Sequence, residues 1–252
     1  MLEIEQLNFR HSSGFTLSVP HLQIAPGEVR AVLGTNGAGK STLLRLMSAE
    51  QPSRGQVALH GRPLECWRPT ERARHLGVLP QASNLDFAFT AREVVALGLT
   101  PLSLGWRDAG RVVREVMRAT DCEHLATNSY TALSGGERQR VHLARVLLQL
   151  SQAELPPVLL LDEPTSAQDL GQQHRVLQLA CDLARERGYA VGAILHDLNL
   201  ALRYANYCTL LHAGRVVTSG APAEVISGDN IERYWGYTPT LLTAACGRTV
   251  VA

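Results

Sequence analysis

The sequence predicts an α/β fold with a mainly parallel β-sheet that carries helices on both faces. Two observations support this fold class. In the C-terminal part, apolar strand segments alternate with helical ones, from VLLLDE at 158–163 to CTLLHAGRVV at 208–217. Nearer the N-terminus, the apolar strand VRAVL at 29–33 leads into a glycine-rich loop at 34–42 and then a helix. Alternating strands and helices are typical of parallel sheets covered on both faces.

The N-terminal elements indicate an antiparallel β subdomain beside this core. Residues 2–9 and 15–24 alternate apolar and polar positions, which is the pattern of half-buried strands. The segment GQVALHGRPL at 55–64 indicates a hairpin that turns near His60 and Gly61.

The middle of the chain changes to helical periodicity, which predicts a helical subdomain inserted into the core. Apolar residues recur at helical spacing in three segments: AREVVALGL at 91–99, GRVVREVMRAT at 110–120 and RVHLARVLLQL at 140–150. We therefore expect a single domain over 1–252. Its core is formed by 1–81 and 156–252, and the helical subdomain covers about 82–155.

Composition narrows the classes of function. Among 252 residues, 24 are basic and 23 acidic, so the net charge of +1 gives no general attraction to nucleic acid, and no nucleic-acid partner is expected. No apolar run is long enough to span a bilayer, and the N-terminus lacks the pattern of a signal peptide, which predicts a cytoplasmic chain. The five cysteines are scattered, which favours reduced thiols over disulfides or a zinc site.

Residues Gly34 to Ser41 fit the phosphate-binding pattern GxxxxGK[ST] between a strand and a helix. Backbone N–H groups and the positive helix end can bind a β-phosphate there, Lys40 can reach the β- and γ-phosphate oxygens, and Ser41 can bind Mg²⁺. The alternative is a glycine-rich turn that binds nothing. The strand before the loop and the helix after it favour the phosphate site.

Further polar residues follow other strands. Asp162 and Glu163 come after four aliphatic residues, so we expect them at the ligand-binding edge of the sheet, with Asp162 holding Mg²⁺ and Glu163 polarising a water. His196 in ILHDL and Gln81 after GVLP also follow strands. Taken singly, each has a simpler interpretation, since acids at a strand end are commonly solvated and a lone histidine there is more often a surface or capping residue.

The segment LSGGERQRV at 133–141 indicates a second anion site. Ser134 and Glu137 match the capping box of a predicted helix, and capping alone explains both residues. Gly135 and Gly136 cost helix stability, however, which suggests that something approaches the backbone closely there. A helix N-terminus without covering side chains is favourable for a phosphate group.

Taken together, the motifs resemble those of the ATP-binding cassette (ABC) ATPases over essentially the whole chain. The resemblance rests on GTNGAGKST at 34–42, Gln81, LSGGERQR at 133–140, VLLLDEPTSAQD at 158–169 and ILHDL at 194–198. It implies a P-loop core of the RecA-like type and ATP hydrolysis with Mg²⁺. It also implies two copies packed head to tail, in which the signature LSGGE of one chain closes over the γ-phosphate bound in the loop of the other.

The resemblance implies a role for each matched residue. The ATP contacts would be Gly34, Asn36, Gly37, Ala38, Gly39, Lys40, Ser41 and Thr42 of one chain, Ser134, Gly135 and Gly136 of the other, and His11 at the adenine. The Mg²⁺ contacts would be Ser41, Gln81 and Asp162. The implied catalytic residues are Glu163 as general base, His196 as the γ-phosphate switch, and Gln81 as the link between the metal site and the partner proteins.

Two positions depart from the family pattern. His11 stands where the family usually has an aromatic residue stacked on adenine, so stacking is either weaker here or supplied by Phe9. The family segment SALD reads SAQD, which places the polar Gln168 where leucine is common and leaves communication across the dimer less certain.

Within the family, the segments at 80–98 and 166–206 most resemble ATPases of iron-chelate importers, and among these the haem importers. This implies uptake of haem, with a ferric siderophore or cobalamin as the alternative cargo. The implied partners are a second copy, two transmembrane permease subunits and, indirectly, a periplasmic substrate-binding protein. The chain would lie as a peripheral protein on the cytoplasmic face of the inner membrane. Phe87 and Phe89 either fix the helix that follows or line the groove that receives a permease subunit.

The sequence disfavours two rival functions. One is a soluble cassette protein that acts on DNA, ribosomes or cluster assembly, but such proteins usually carry tandem cassettes, coiled-coil insertions or basic extensions, and this sequence shows none. The other is a nucleotide-binding scaffold without turnover. The presence of both Glu163 and His196 disfavours it.

Overall fold

The computed structural model describes residues 1–11, 14–54, 56–81, 87–166, 168–244 and 247–252. The strands are β1 Leu2–Arg10, β2 Thr16–Ile24, β3 Val29–Leu33, β4 Val57–Leu59, β5 Arg62–Pro63, β6 Leu76–Leu79, β7 Val158–Asp162, β8 Ala190–Ile194, β9 Tyr207–His212, β10 Arg215–Gly220, β11 Leu241–Thr243 and β12 Thr249–Val251. The helices are α1 Lys40–Met47, α2 Pro69–His75, α3 Ala91–Ala96, α4 Trp106–Ala119, α5 Gly135–Gln149, α6 Leu170–Arg187, α7 Leu198–Tyr204, α8 Pro222–Val225 and α9 Gly228–Trp235.

Ten of the described strands form one sheet in the order β5-β4-β1-β2-β10-β9-β3-β8-β7-β6. The strands from β9 to β6 run parallel, whereas β1, β2, β4 and β5 pair antiparallel. The predicted α/β fold is therefore confirmed. One detail differs from the expectation of a separate antiparallel subdomain, because β2 pairs with β10 through Ser18 and Arg215 and so continues the same sheet. This pairing gives the edge of β2 a partner for its backbone hydrogen bonds.

The central strands explain where polar residues collect. Every residue of β3 and of β8 is buried, as are the four aliphatic residues of β7, so these strands carry helices on both faces. Because the strands are parallel, their carboxyl ends meet at one edge of the sheet. The glycine-rich loop, Glu163 and His196 all follow these ends directly.

The hairpin predicted at 55–64 is present as β4 and β5. Ala58 pairs with Pro63 and Leu59 with Arg62, so two residues form the turn. These residues, His60 and Gly61, have φ of 51° and 74°. Positive φ at both central residues is the geometry of a type I′ turn, which suits the twist of adjacent strands.

Helix α5 belongs to two hydrophobic clusters. Its residues Leu143, Val146 and Leu147, together with the C-cap residue Leu150, pack in the cluster beneath the parallel sheet. Its residues Val141, Ala144 and Leu148 pack with α3 and α4 in a separate helical cluster.

Close contact on both sides of α5 depends on glycines. A Cβ at Gly77 of β6 would lie 2.6 Å from Val146 Cγ1, and one at Gly98 would lie 2.3 Å from the Arg145 carbonyl oxygen. Both distances are too short for carbon, so α5 is fixed between the sheet and the remainder of the helical insert. Within the described ranges, no helix is both long and apolar enough to cross a membrane.

Candidate functional site

The glycine-rich loop between β3 and α1 depends on two glycines with backbone conformations that disfavour side chains. Gly34 has φ of 144°, and a Cβ there would lie 2.3 Å from the Leu211 carbonyl oxygen. Gly39 has φ of 105°, and a Cβ there would lie 2.8 Å from Phe15 Cζ. Any larger residue at either position would have to displace these neighbours. The loop is therefore held against β9 on one side and Phe15 on the other.

Lys40 opens α1 and is buried, with 6% of its surface exposed. Its Nζ donates to the carbonyl oxygens of Gly34 at 2.8 Å and Thr35 at 3.1 Å. Burial lowers the pKa of Lys40, and the nearby carboxylates of Glu163 and Asp162 oppose that shift. The ammonium is thus held across the loop, next to the two acids.

The loop lines a pocket of about 510 Å³. Its lining residues are His11, Phe15, Asn36, Gly37, Ala38, Gly39, Lys40, Ser41, Thr42 and Glu163. The N-cap of α1 is Gly39, and no side chain caps the helix, so its first N–H groups remain available to the pocket. A pocket of this size with a bare helix N-terminus and a lysine suits a polyphosphate group.

The aromatic residues around the pocket differ from one sequence expectation. His11 lines the pocket, whereas Phe9 lies on a different surface, beside Thr16 and Arg215. Phe15 also lines the pocket, next to Gly39, and the sequence reasoning missed it. His11 N donates to the Phe15 carbonyl oxygen at 2.8 Å, so the two residues are held together. No local sequence pattern indicates the contact between Phe15 and Gly39, because it joins different elements of the fold.

Asp162 ends β7 beside the pocket. Burial raises the pKa of Asp162, and the adjacent Glu163 carboxylate adds to that effect. Its Oδ1 is buried and has no hydrogen-bond partner among the described residues. Burying a carboxylate oxygen without a partner is unfavourable, so this atom is available to a ligand.

Glu163 lies between the other two predicted catalytic residues. Gln81 Nε2 donates to Glu163 Oε2 at 2.5 Å, and His196 Nε2 lies 2.5 Å from Glu163 Oε1. The Glu163 backbone has φ of 49°, a conformation that non-glycine residues adopt at a cost of about 1 kcal/mol or more. The three residues follow the ends of β6, β7 and β8, and the structure brings their side chains together.

The signature segment lies elsewhere on the chain. Ser134 caps α5, and its backbone N–H and Oγ donate to Glu137 Oε2 at 2.8 and 2.7 Å. The hydrogen bonds from Ser134 lower the pKa of Glu137. None of Ser134, Gly135 and Gly136 lines the loop pocket of the same chain. The structure therefore contains the predicted capping box and does not bring the signature to the loop within one chain.

Together, these features define a P-loop nucleotide-binding protein. The family model described as "ABC transporter" matches residues 17–166. The hemin import ATP-binding protein HmuV of Vibrio parahaemolyticus is 46% identical over 237 residues, covering 94% of this chain and 91% of that protein. HmuV of Vibrio cholerae is 52% identical over 211 residues, covering 84% and 82%. The chain therefore belongs to the ABC transporter family.

A solved structure agrees with this assignment. The dimeric, post-hydrolysis state of the ATP-binding cassette MJ0796, bound to ADP and Pi, superposes with a TM-score of 0.76 at 26% identity. The match covers 88% of this chain and 99% of MJ0796. The predictions of an ABC ATPase and of ATP as its nucleotide are confirmed.

Proposed function

We propose that the protein is the ATP-hydrolysing subunit of a bacterial importer that takes up haem across the inner membrane. The observation that carries the ATPase role is the position of Glu163 between Gln81 and His196 at the edge of the loop pocket. The cargo assignment is supported by the HmuV proteins of two Vibrio species, which are named for hemin import and are similar over most of the chain.

The loop supplies the phosphate site in this proposal. Residues 37–42, which include Lys40, line the pocket, where their backbone N–H groups and the Lys40 ammonium would bind the β- and γ-phosphates of ATP. Phe15 and His11 line the same pocket, where they would contact the base. Phe15 supplies the flat apolar surface that His11 alone does not offer.

The residues present also fit Mg²⁺. Asp162 Oδ1 is a buried carboxylate oxygen without a partner, and Ser41 and Gln81 add a hydroxyl and an amide oxygen. Oxygen ligands of this kind, completed by substrate phosphates and water, are those that Mg²⁺ prefers. When bound, Mg²⁺ would neutralise charge on the phosphates.

Hydrolysis then follows from the positions of this chain's own residues. Glu163 accepts a proton from the attacking water, and His196 holds the Glu163 carboxylate from one side while Gln81 holds it from the other. Lys40 stabilises negative charge that develops on the γ-phosphate. Gln81 is exposed, so a protein docked beside the pocket would be able to contact it.

A second copy completes the site in this proposal. Ser134 and Gly136 lie at the start of α5, away from the loop of their own chain, so they would contact ATP bound by the partner. The dimeric state of the MJ0796 cassette supports this arrangement. The pair would work beneath two permease subunits on the cytoplasmic face of the inner membrane, supplied by a periplasmic substrate-binding protein.

Growth of a deletion strain tests the cargo. With the gene removed and haem as the sole iron source, the wild-type chain should restore growth, and Glu163→Gln should not. Glu186→Gln, an exposed glutamate paired with Arg185 on α6, is the matched control and should restore growth fully. Restoration on a ferric siderophore or of cobalamin uptake, with none on haem, would overturn the haem assignment.

A further inference from the structure

Gln168, which lies just before α6, uses its side-chain amide to make hydrogen bonds that an aliphatic side chain cannot make. Gln168 Nε2 donates to Gln139 Oε1 at 2.6 Å and to the Pro164 carbonyl oxygen at 3.2 Å. Gln139 Nε2 in turn donates to the Glu163 carbonyl oxygen at 3.3 Å. These hydrogen bonds run from Gln168 through α5 to the backbone of Glu163.

The bond from Gln168 decides which way the Gln139 amide points. Gln139 is buried, with 8% of its surface exposed, so both ends of its amide need partners. With a donor from Gln168 on its oxygen, its nitrogen faces the Glu163 carbonyl oxygen. Without that donor, the amide could turn its oxygen toward the carbonyl, where two acceptors would repel each other.

Packing does not explain a glutamine at this position. Gln168 Oε1 is buried and has no hydrogen-bond partner among the described residues. An unpaired buried amide oxygen costs stability, and leucine would avoid that cost. The side-chain N–H groups of Gln168 donate to Gln139 and Pro164, so these donors explain why a glutamine is present at this position.

The Glu163 carbonyl oxygen, which accepts from Gln139, belongs to a residue with a strained backbone. Glu163 has φ of 49°, and its carbonyl oxygen also accepts from Ser166 N at 3.1 Å and Ser166 Oγ at 2.9 Å. A residue in this conformation persists only where its surroundings hold it. Three donors on one carbonyl oxygen set the direction in which the Glu163 side chain leaves the backbone.

We propose that Gln168 is a positioning residue for ATP hydrolysis, which orients the Gln139 amide and thereby holds Glu163 in place. The inference rests on the proposed role of Glu163 as the base. Because Gln139 lies on the helix that begins at Ser134, the same contacts tie the signature helix of a chain to that chain's own Glu163.

Steady-state ATPase measurements on four variants test the proposal. Gln168→Met keeps the length of the side chain and removes its donors, and Gln168→Glu keeps the shape with a carboxylate that cannot donate. We expect each to lower kcat about fivefold with KM for ATP within about twofold, since misplaced catalytic groups reduce turnover rather than binding. Gln139→Met should have the same effect. Gln178→Met is the control, because among the described residues Gln178 donates to Asp182 on its own helix and not to Glu163 or Gln139, and it should retain the wild-type kcat.

The double variant distinguishes one relay from two independent effects. If Gln168 acts through Gln139, the combined Gln139→Met and Gln168→Met variant should be no slower than either single variant. Rate losses that multiply, or a wild-type kcat in both Gln168→Met and Gln168→Glu, would overturn the proposal. Circular dichroism melting identifies any variant whose loss reflects unfolding. Glu163→Gln is measured in parallel. If Glu163→Gln keeps wild-type hydrolysis, the base assignment fails. If Glu163→Gln is inactive while Gln168→Met and Gln168→Glu keep the wild-type kcat, only the relay is refuted.

Discussion

Two helix N-termini with adjacent glycines lie in different surroundings on this chain. The first, at α1, has Gly39 as its N-cap, no capping side chain, and Lys40 as its first residue in a pocket. The second, at α5, has Ser134 as its N-cap and a capping box completed by Glu137. The first is prepared for an anion by positive charge, whereas the second already holds a carboxylate of its own.

The α1 terminus therefore belongs to a phosphate site formed within one chain, whereas the α5 terminus can contribute to a site formed by another chain. Lys40, Asp162 and Glu163 surround the α1 terminus within one chain. The α5 terminus has Gly135 and Gly136 in its first turn, and its capping box of Ser134 and Glu137 contains no lysine. The α5 terminus can therefore add hydrogen bonds to a phosphate that another site has already bound.

The largest expected effect is the loss of ATP hydrolysis when Glu163, which lies beside the α1 terminus, is replaced. Glu163→Gln removes the base while its amide can still contact Gln81 and His196, so ATP binding should persist. We expect the hydrolysis rate to fall by roughly 10² to 10⁴-fold, the usual contribution of a general base. Phosphate release measures the rate, and a fluorescent ATP analogue measures binding. A rate within tenfold of wild type would place the base elsewhere.

Mixed dimers test whether the second terminus serves the partner. In a dimer of Lys40→Ala with Ser134→Arg, one site carries both lesions and the other has an intact Lys40 and an intact Ser134. ATP occluded per dimer should rise to one in purified, differently tagged heterodimers, above the level of either homodimer. If each signature served its own loop, both sites would stay damaged and mixing would restore nothing.

The capping role of Ser134 can be separated from its phosphate role by a matched pair. Thr90 caps α3 with the same type of capping box, completed by Glu93. Ser134→Ala and Thr90→Ala should each lower the free energy of unfolding by about 1 kcal/mol, measured by urea denaturation. Only Ser134→Ala should also reduce ATP-dependent dimer formation in light scattering. Equal effects of both variants on the dimer would assign Ser134 to capping alone.

The smallest expected effect is a pH dependence at the second terminus. The pKa of Glu137 is lowered in the folded protein by hydrogen bonds from Ser134, so its contribution to stability is present above the unfolded pKa and is lost as pH falls through the folded pKa. The stability difference between wild type and Glu137→Gln should therefore shrink between about pH 5 and pH 3. Solvent screening limits the difference to about 0.5 kcal/mol at pH 7. A difference that is independent of pH would contradict this assignment.

Local sequence patterns predicted the parts of the site that follow single strands. The loop at 34–42, the acids after VLLL and the capping box at Ser134 each depend on neighbours a few residues away, so their geometry follows from periodicity and turn chemistry. The fold class followed from the same alternation. The proposed boundary between core and helical subdomain stays a prediction, and α5 shows why it is difficult to place, since its residues pack into both clusters.

Contacts between distant segments were beyond the sequence patterns. Phe15 lines the loop pocket, whereas Phe9 lines another surface of the same sheet. The bond between Gln139 and Gln168 joins two segments that are each polar and otherwise unremarkable in sequence. Helices α2, α7, α8 and α9 were also missed, since they are four to eight residues long and too short for a clear period. The predicted roles of Phe87 and Phe89 stay open, although the exposure of the Phe87 ring, 68%, leaves it accessible to a partner.

The double packing of α5 has a consequence for how the protein opens. Val113 and Met117 of α4 belong to the helical cluster, whereas Leu143 and Leu147 of α5 lie in the cluster beneath the sheet, and the partly buried Val116 of α4 packs against both. Local opening can release α4 while α5 stays in place, because α5 places several buried residues beneath the sheet and α4 places only the partly buried Val116 against that cluster. Amide protons of α5 should therefore exchange with deuterium about as slowly as those of the central strands. Amide protons of α4 should exchange faster. The helices of the insert should therefore differ in local stability, and the signature lies at the start of the more stable helix, α5.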